Sequence, residues 1–210
     1  MPSTTRKPTR VRRREIAEAA LRLIGERGAP AFTASNLAGE VGLTSGALFR
    51  HFASLDEILC EAVEVAVEAL ERTFPPADLP PTERLERLAL ERVALVGGRP
   101  DLAWLLLSDQ VYLCVPDAAV ERLRALVRRS RAFLVQAFTD GVACGALRED
   151  IAVEAMLSIF TGTVHSLISG GGVHREAASP AAPRRVVGAL LALLANPAST
   201  PPSPDESDRQ

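Results

Sequence analysis

Three residues that start helices, Thr33, Thr44 and Ser54, stand close together, with Gly42 between the first two. A Ser or Thr hydroxyl accepts a hydrogen bond from the free N–H groups of a first helical turn, so each marks a helix start. The spacing leaves room only for two short helices, at about 34–41 and 45–51, and then a long one from 55 to about 73. Leu37, Ala38 and Val41 face inward from the first short helix, and Leu43, Leu48 and Phe52 supply the inner face of the second. Ala38 is small where the two helices cross, and Gly42 permits the reversal between them. Two short capped helices joined through a glycine form a helix-turn-helix. Thr44, Ser45, Gly46, Phe49, Arg50 and His51 are left on its outer face or at its start.

The remaining chain reads as helix almost throughout. A first helix over 10–27 carries Ile16, Ala19, Ala20, Leu23 and Ile24 at helical spacing and ends at Gly28 and Pro30. The stretch Pro75–Pro81 holds four prolines in seven residues and interrupts any helix. Beyond it the pattern predicts helices at about 82–97, 101–113, 117–142, 150–169 and 181–195, with Gly170-Gly171-Gly172 as a flexible turn. The fold class is therefore all-α, about nine helices in total. The division expected is a disordered basic arm over 1–9, a helix-turn-helix domain over 10–54, a larger helical domain over 55–195, and a disordered Pro/Ser/Asp-rich tail over 196–210.

Charge is split along the chain. Residues 1–51 carry nine Lys/Arg and four Glu, a balance of +5, whereas residues 52–210 carry fifteen Arg and twenty-two acids, a balance of −7. A basic head on an acidic body suits nucleic acid held at one end only. Cys60, Cys114 and Cys144 have neither metal-site nor disulfide spacing, so no metal is expected. The longest apolar run, Val186–Ala195, is ten residues, and a membrane span needs about 20. The expected location is the cytoplasm, at the nucleoid. No nucleophile elbow, phosphate loop or zinc-protease motif is found, so neither an enzyme, a catalytic residue nor a cofactor is expected.

From Ala19-Ala20 through Gly28, Phe32 and Thr33 to Leu48-Phe49-Arg50-His51-Phe52 and Ile58-Leu59, the sequence resembles the TetR family of transcriptional regulators. The resemblance implies that Thr33, Ala34 and Ser35 lie near the phosphate backbone of double-stranded operator DNA. It puts Thr44 at the start of the recognition helix, Ser45, Gly46 and Ala47 at base edges, and Phe49 and His51 on the backbone side. Arg10, Arg12 and Arg50 are further DNA-contact candidates. Two departures stand out. The family commonly has Tyr where this chain has Phe49 and Lys where it has Leu55, so two phosphate contacts are missing.

The resemblance also implies a homodimer paired through helices 150–169 and 181–195. The residues agree with it: Ala152, Ala155, Ile159, Thr163 and Ser166 form one row, mostly of small side chains, beside the larger Val153, Met156, Phe160, Val164 and Leu167. The last helix is apolar over more than half its surface and needs cover on two sides. A repressor released by a small lipophilic effector is the implied function, with Trp104, Ser108, Tyr112, Phe133, Phe138, Phe160 and His165 as candidate ligand contacts. The alternative is an effector-free DNA-binding architectural or protein-interaction regulator on the same scaffold.

Overall fold

Helix α1 (Thr9–Arg27) buries one side from Ile16 to Ile24 and stops at Gly28, whose φ of 80° lies where few residues other than glycine go. The computed structural model describes residues 8–169 and 181–197. The expected basic arm (all but its last two residues), the Gly170–Gly172 turn and most of the C-terminal tail lie outside the described residues.

After a 3₁₀ turn at Ala29–Ala31 come α2 (Ala34–Glu40), α3 (Ser45–Leu48) and α4 (Leu55–Glu71). They are followed by α5 (Pro81–Val96), α6 (Pro100–Leu107), α7 (Val111–Cys114), α8 (Asp117–Ala143), α9 (Val153–Ser169) and α10 (Ala182–Leu194). The described residues are all-α, with only an isolated bridge between Leu147 and Ala195 outside the helices.

The helix expected over 150–169 begins at Val153, and two further differences have a visible cause. The single helix expected over 101–113 is two, because Ser108 turns extended (ψ 126°) and its Oγ accepts the Gln110 N–H at 3.2 Å. A serine hydroxyl bonded to nearby backbone competes with the helix in this way. The helix expected over 45–51 stops at Leu48. Arg50 and His51 N–H then bond to Ala47 and Leu48 three residues back, a tighter turn that leads into buried Phe52.

The chain forms two compact units. The first, residues up to 73 together with 94–129, packs α1 against α2, α4 and α6. Its core is Ile16, Ala20, Leu23, Leu37, Leu48, Phe52, Ile58, Ala62 and Leu102. The approach of α1 to α6 depends on Gly25: a Cβ there would sit 2.6 Å from the Asp101 Cα. Asp101 itself is buried, and its carboxylate accepts two-pronged bonds from Arg99, with Nη2 at 2.6 Å and Nε at 2.9 Å.

The second unit, 74–93 and 130 onward, holds most of α5, the end of α8, α9 and α10. Phe138 and Phe160 meet edge to face at its centre, their ring centroids 5.7 Å apart. Buried Arg84 bonds the Asp140 carboxylate and, with Gln136, holds that carboxyl below its usual range. Burial pushes the Arg92 guanidinium down to about 10. The loop after α8 is pinned to the end of α10 by Arg148 N–H to Leu194 and Asn196 N–H to Ala146, at 3.0 and 3.1 Å.

Two glycines should therefore respond oppositely to alanine. Gly25→Ala should destabilise by roughly 1–3 kcal/mol, the usual cost of overpacking. Gly39→Ala, on α2 where a Cβ meets nothing within 4 Å, should stabilise by up to about 1 kcal/mol through helix propensity. Thermal or urea melts of the two variants give the signs.

Candidate nucleic-acid interface

The caps are made as the sequence requires. Thr33 Oγ1 accepts from Asn36 N–H and Thr44 Oγ1 from Ala47 N–H, each at 3.2 Å. Ser54 Oγ accepts from Glu57 N–H at 3.1 Å, and Glu57 reaches back to accept from Ala53 N–H at 2.6 Å. This reciprocal pair resembles a capping box and fixes where α4 begins. Gly42, with φ of 65°, makes the turn into α3.

Leu48 and Phe52 are buried, so α3 has a fixed inner side. Its other side is open: Thr44 and Gly46 are exposed, and Ser45 and Ala47 are half-buried. Phe49, 43% exposed, and Arg50 continue the open surface. Thr33 and Ser35 are exposed at the start of α2, with Ala34 half-buried. His51 is half-buried; its Nδ1 is buried without a hydrogen-bond partner among the described residues. Ser45, Gly46 and Ala47 thus lie together on one corner at the start of α3, with Gly46 exposed and the other two half-buried.

The sequence reading missed the residue that holds this corner in place. Arg13 counts there only as one of six basic residues before Glu15. In the structure its Nη1 donates to the His51 carbonyl at 2.7 Å and to Glu57 at 2.8 Å, while Nη2 donates to Glu61 at 3.0 Å. Its guanidinium also lies 4.0 Å from the Phe52 ring centroid, a cation–π distance. One side chain thereby ties α1 to the end of the recognition segment and to α4. The Ala53 N–H and then Arg13 hold the Glu57 carboxyl below its usual range. A signal was present: Glu57 and Glu61 are four apart, so α4 shows two acids on one face.

The neighbouring arginines also have partners. Arg12 pairs with Glu15 at 3.0 Å, and Arg14 with Glu18 and Glu68 at 3.2 and 2.8 Å. Arg10 and Arg50 are exposed and form no ion pair among the described residues.

The candidate ligand contacts fall into two groups. Trp104, Ser108 and Tyr112 belong to the first unit, and Phe133, Phe138, Phe160 and His165 to the second. Trp104 lines an open groove of about 470 Å³, Ser108 is half-buried at the break after α6, and Tyr112 is 56% exposed beneath Arg124. Phe138 and Phe160 fill core, Phe133 packs on Phe74 with centroids 5.3 Å apart, and His165 is exposed on α9.

A capped helix-turn-helix with one side open and the other packed on neighbouring helices is the arrangement of a DNA-binding module. Residues 16–62 match the family model described as bacterial regulatory proteins, tetR family. The chain is 39% identical to the HTH-type transcriptional regulator PksA of Bacillus subtilis over 85 residues, 39% of this chain and 42% of that protein. The chain thus matches less than half the length of that relative. It is 24% identical to the HTH-type transcriptional repressor KstR2 of Mycobacterium tuberculosis over 155 residues, covering 72% of this chain and 77% of KstR2. The solved structure of KstR2 superposes with a TM-score of 0.72 at 20% identity, covering 88% of this chain and 95% of that one. AibR, solved with isovaleryl coenzyme A and operator DNA, superposes with a TM-score of 0.68 at 19% identity, covering 87% and 97%.

Arg13→Gln should therefore lower both thermal stability and DNA affinity, with a stability loss on the order of 1.5–3 kcal/mol for a charge-assisted network. Arg10→Gln should lower DNA affinity alone. Because the Glu57 carboxyl is depressed in the folded state, its stabilising contribution is present above the ordinary carboxylate range and is lost as pH falls through the folded value. In acid titrations of stability, Glu57→Gln should flatten that limb.

Proposed function

We propose that the protein is a homodimeric repressor that reads a palindromic operator and leaves it when a small lipophilic effector binds. The observation that carries the DNA half is the partly open corner of Ser45, Gly46 and Ala47 on a helix whose inner side is locked by Leu48, Phe52 and Arg13. These three side chains offer little hydrogen bonding, so base readout is sparse. Phosphate contacts from Arg10, Arg12, Arg50, Thr33, Ser35, Thr44 and His51 supply most of the affinity. Phe49 adds apolar contact at the backbone side. Residues 10–54 form the DNA-binding domain, and 55–195 carry dimerisation and effector binding. The protein works at the nucleoid.

The dimer reading rests on what α9 and α10 leave uncovered. Met156, Phe160 and Val164 of α9 are buried, whereas Ala152, Ala155, Ile159 and Ser166 on its other side are exposed. On α10, Val187, Leu190 and Leu194 are buried, but Val186 and Leu193 are 40% and 70% exposed. A second copy of the same two helices gives this apolar strip its cover. The two recognition helices of such a dimer stand roughly 34–36 Å apart, one turn of DNA. The effector reading draws on the relatives: KstR2 is described as a ketosteroid regulator, and AibR was solved with an acyl thioester. The acyl portion of the AibR ligand is lipophilic, and Trp104, which lines the open groove, suits such a group.

Light scattering of the unaltered protein should give a dimer, and Ala155→Arg should give a monomer without operator affinity. A monomeric unaltered protein overturns the dimer reading. Gly46→Glu should leave the dimer and the melting temperature intact and abolish operator binding in a gel-shift assay. For the effector, lipophilic compounds that raise the melting temperature should also weaken operator binding. Hits that stabilise the protein and leave operator affinity unchanged remove the switch.

A further inference from the structure

The groove beside Trp104 is built from parts that flank the helix-turn-helix. Phe32 leads from the 3₁₀ turn into α2, and Leu55 and Asp56 are in the first turn of α4. Trp104 comes from α6, Gln110 from the break after it, and Cys114 from α7. Its volume of about 470 Å³ is in the range of small-molecule sites. Nothing in the function proposed above assigns a chemistry to it.

Its polar groups are unspent. The Trp104 indole N–H, the Gln110 side-chain amide and the Asp56 carboxylate have no hydrogen-bond or ion-pair partner among the described residues. No Lys, Arg or His lines the groove, so Asp56 is its one formal charge. Two aromatic side chains, Phe32 and Trp104, share the lining with that carboxylate. Aromatic faces attract cations and repel anions through the ring quadrupole. A carboxylate beside them adds a charge of the same preference. The backbone N–H groups at the start of α4 offset part of that charge, which keeps the expected selectivity modest.

The geometry points to a binding site for a lipophilic organic cation in this groove, held by the Phe32 and Trp104 rings with Asp56 as counter-charge. It deepens the effector reading and rests on it only for the link to operator release; binding itself stands apart from that link. An occupant would touch Phe32 and Leu55, the residues through which the chain enters and leaves the helix-turn-helix.

Trp104 is the chain's single tryptophan, so its fluorescence reports this groove alone. The unaltered dimer is titrated with tetraphenylphosphonium, and with tetraphenylborate, an anion of the same shape. A saturable change with the cation, at least about fivefold tighter than with the anion, is expected, the scale of one exposed ion pair or cation–π contact. Asp56→Asn, at an exposed position, should reduce that preference with at most a small change in melting temperature. Alkylation provides a second readout. The cation should slow modification of Cys114 in the groove and leave exposed Cys144, in the other unit, unprotected. Equal affinity for cation and anion, or a fluorescence change without Cys114 protection, overturns the proposal. Operator binding is measured in the same samples. Groove binding that leaves operator affinity intact keeps the site and removes only its role as the switch.

Discussion

Burial of α1 is the constraint on which the rest of the first unit depends. Seven of its residues between Ile16 and Ile24 are buried, and three of them are alanines. The long ones supply the energy, roughly 1.5–3 kcal/mol for each fully buried Leu or Ile. The alanines set the distance, because a helix lined by methyl groups lets its neighbours come close. Packed on α2, α4 and α6 at once, α1 becomes the frame against which the recognition segment is positioned. The helix-turn-helix has too little apolar surface to hold itself; α2 contributes Leu37 and Ala38 and α3 only Leu48 to the core.

That frame also changes how the basic head of the chain is to be understood. Summed along the sequence, the arginines before Glu15 form a uniform positive arm. In space they divide. Arg13 holds the protein together, Arg12 and Arg14 have acidic partners, and Arg10 faces solvent without one among the described residues. A surface pair with a glutamate is weak and can be exchanged for a phosphate at little cost. Arg13, bonded to three residues on two elements, cannot be exchanged in the same way. The charge summed along the sequence and the charge open to a partner therefore belong to overlapping but different residues.

Much of the fold was legible because helix starts and stops are local. Thr33, Thr44, Ser54, Gly28 and Gly42 each act within a few residues of themselves, and each does what its chemistry suggests. The side of α9 expected to face inward is the buried one, since helical periodicity alone separates Met156 and Phe160 from Ala155 and Ile159. The partly open corner at Ser45–Ala47 follows from the same periodicity. What was not legible depends on partners distant in sequence. Arg13 meets Glu57 and Glu61 more than forty residues away. The break at Ser108 is a contest between a hydroxyl and a helix that apolar residues on both sides obscure. The candidate ligand aromatics share one composition, yet Phe138 is core, Trp104 lines an open groove and Tyr112 is exposed.

Gly25 has a consequence for how α6 responds to any load. The atoms that stand where a side chain at Gly25 would begin are the Asp101 backbone and Cβ, not the far end of a side chain that can swing aside. Dispersion between atoms in direct contact falls by a quarter to a half when a gap of only about 0.5–1 Å opens. A joint of this kind has little slack. Flexible side chains at the same place would absorb a small displacement by changing rotamer and pass on little of it. Close packing at this joint therefore loses contact energy at small displacements, so the start of α6 and the end of α1 resist being moved apart.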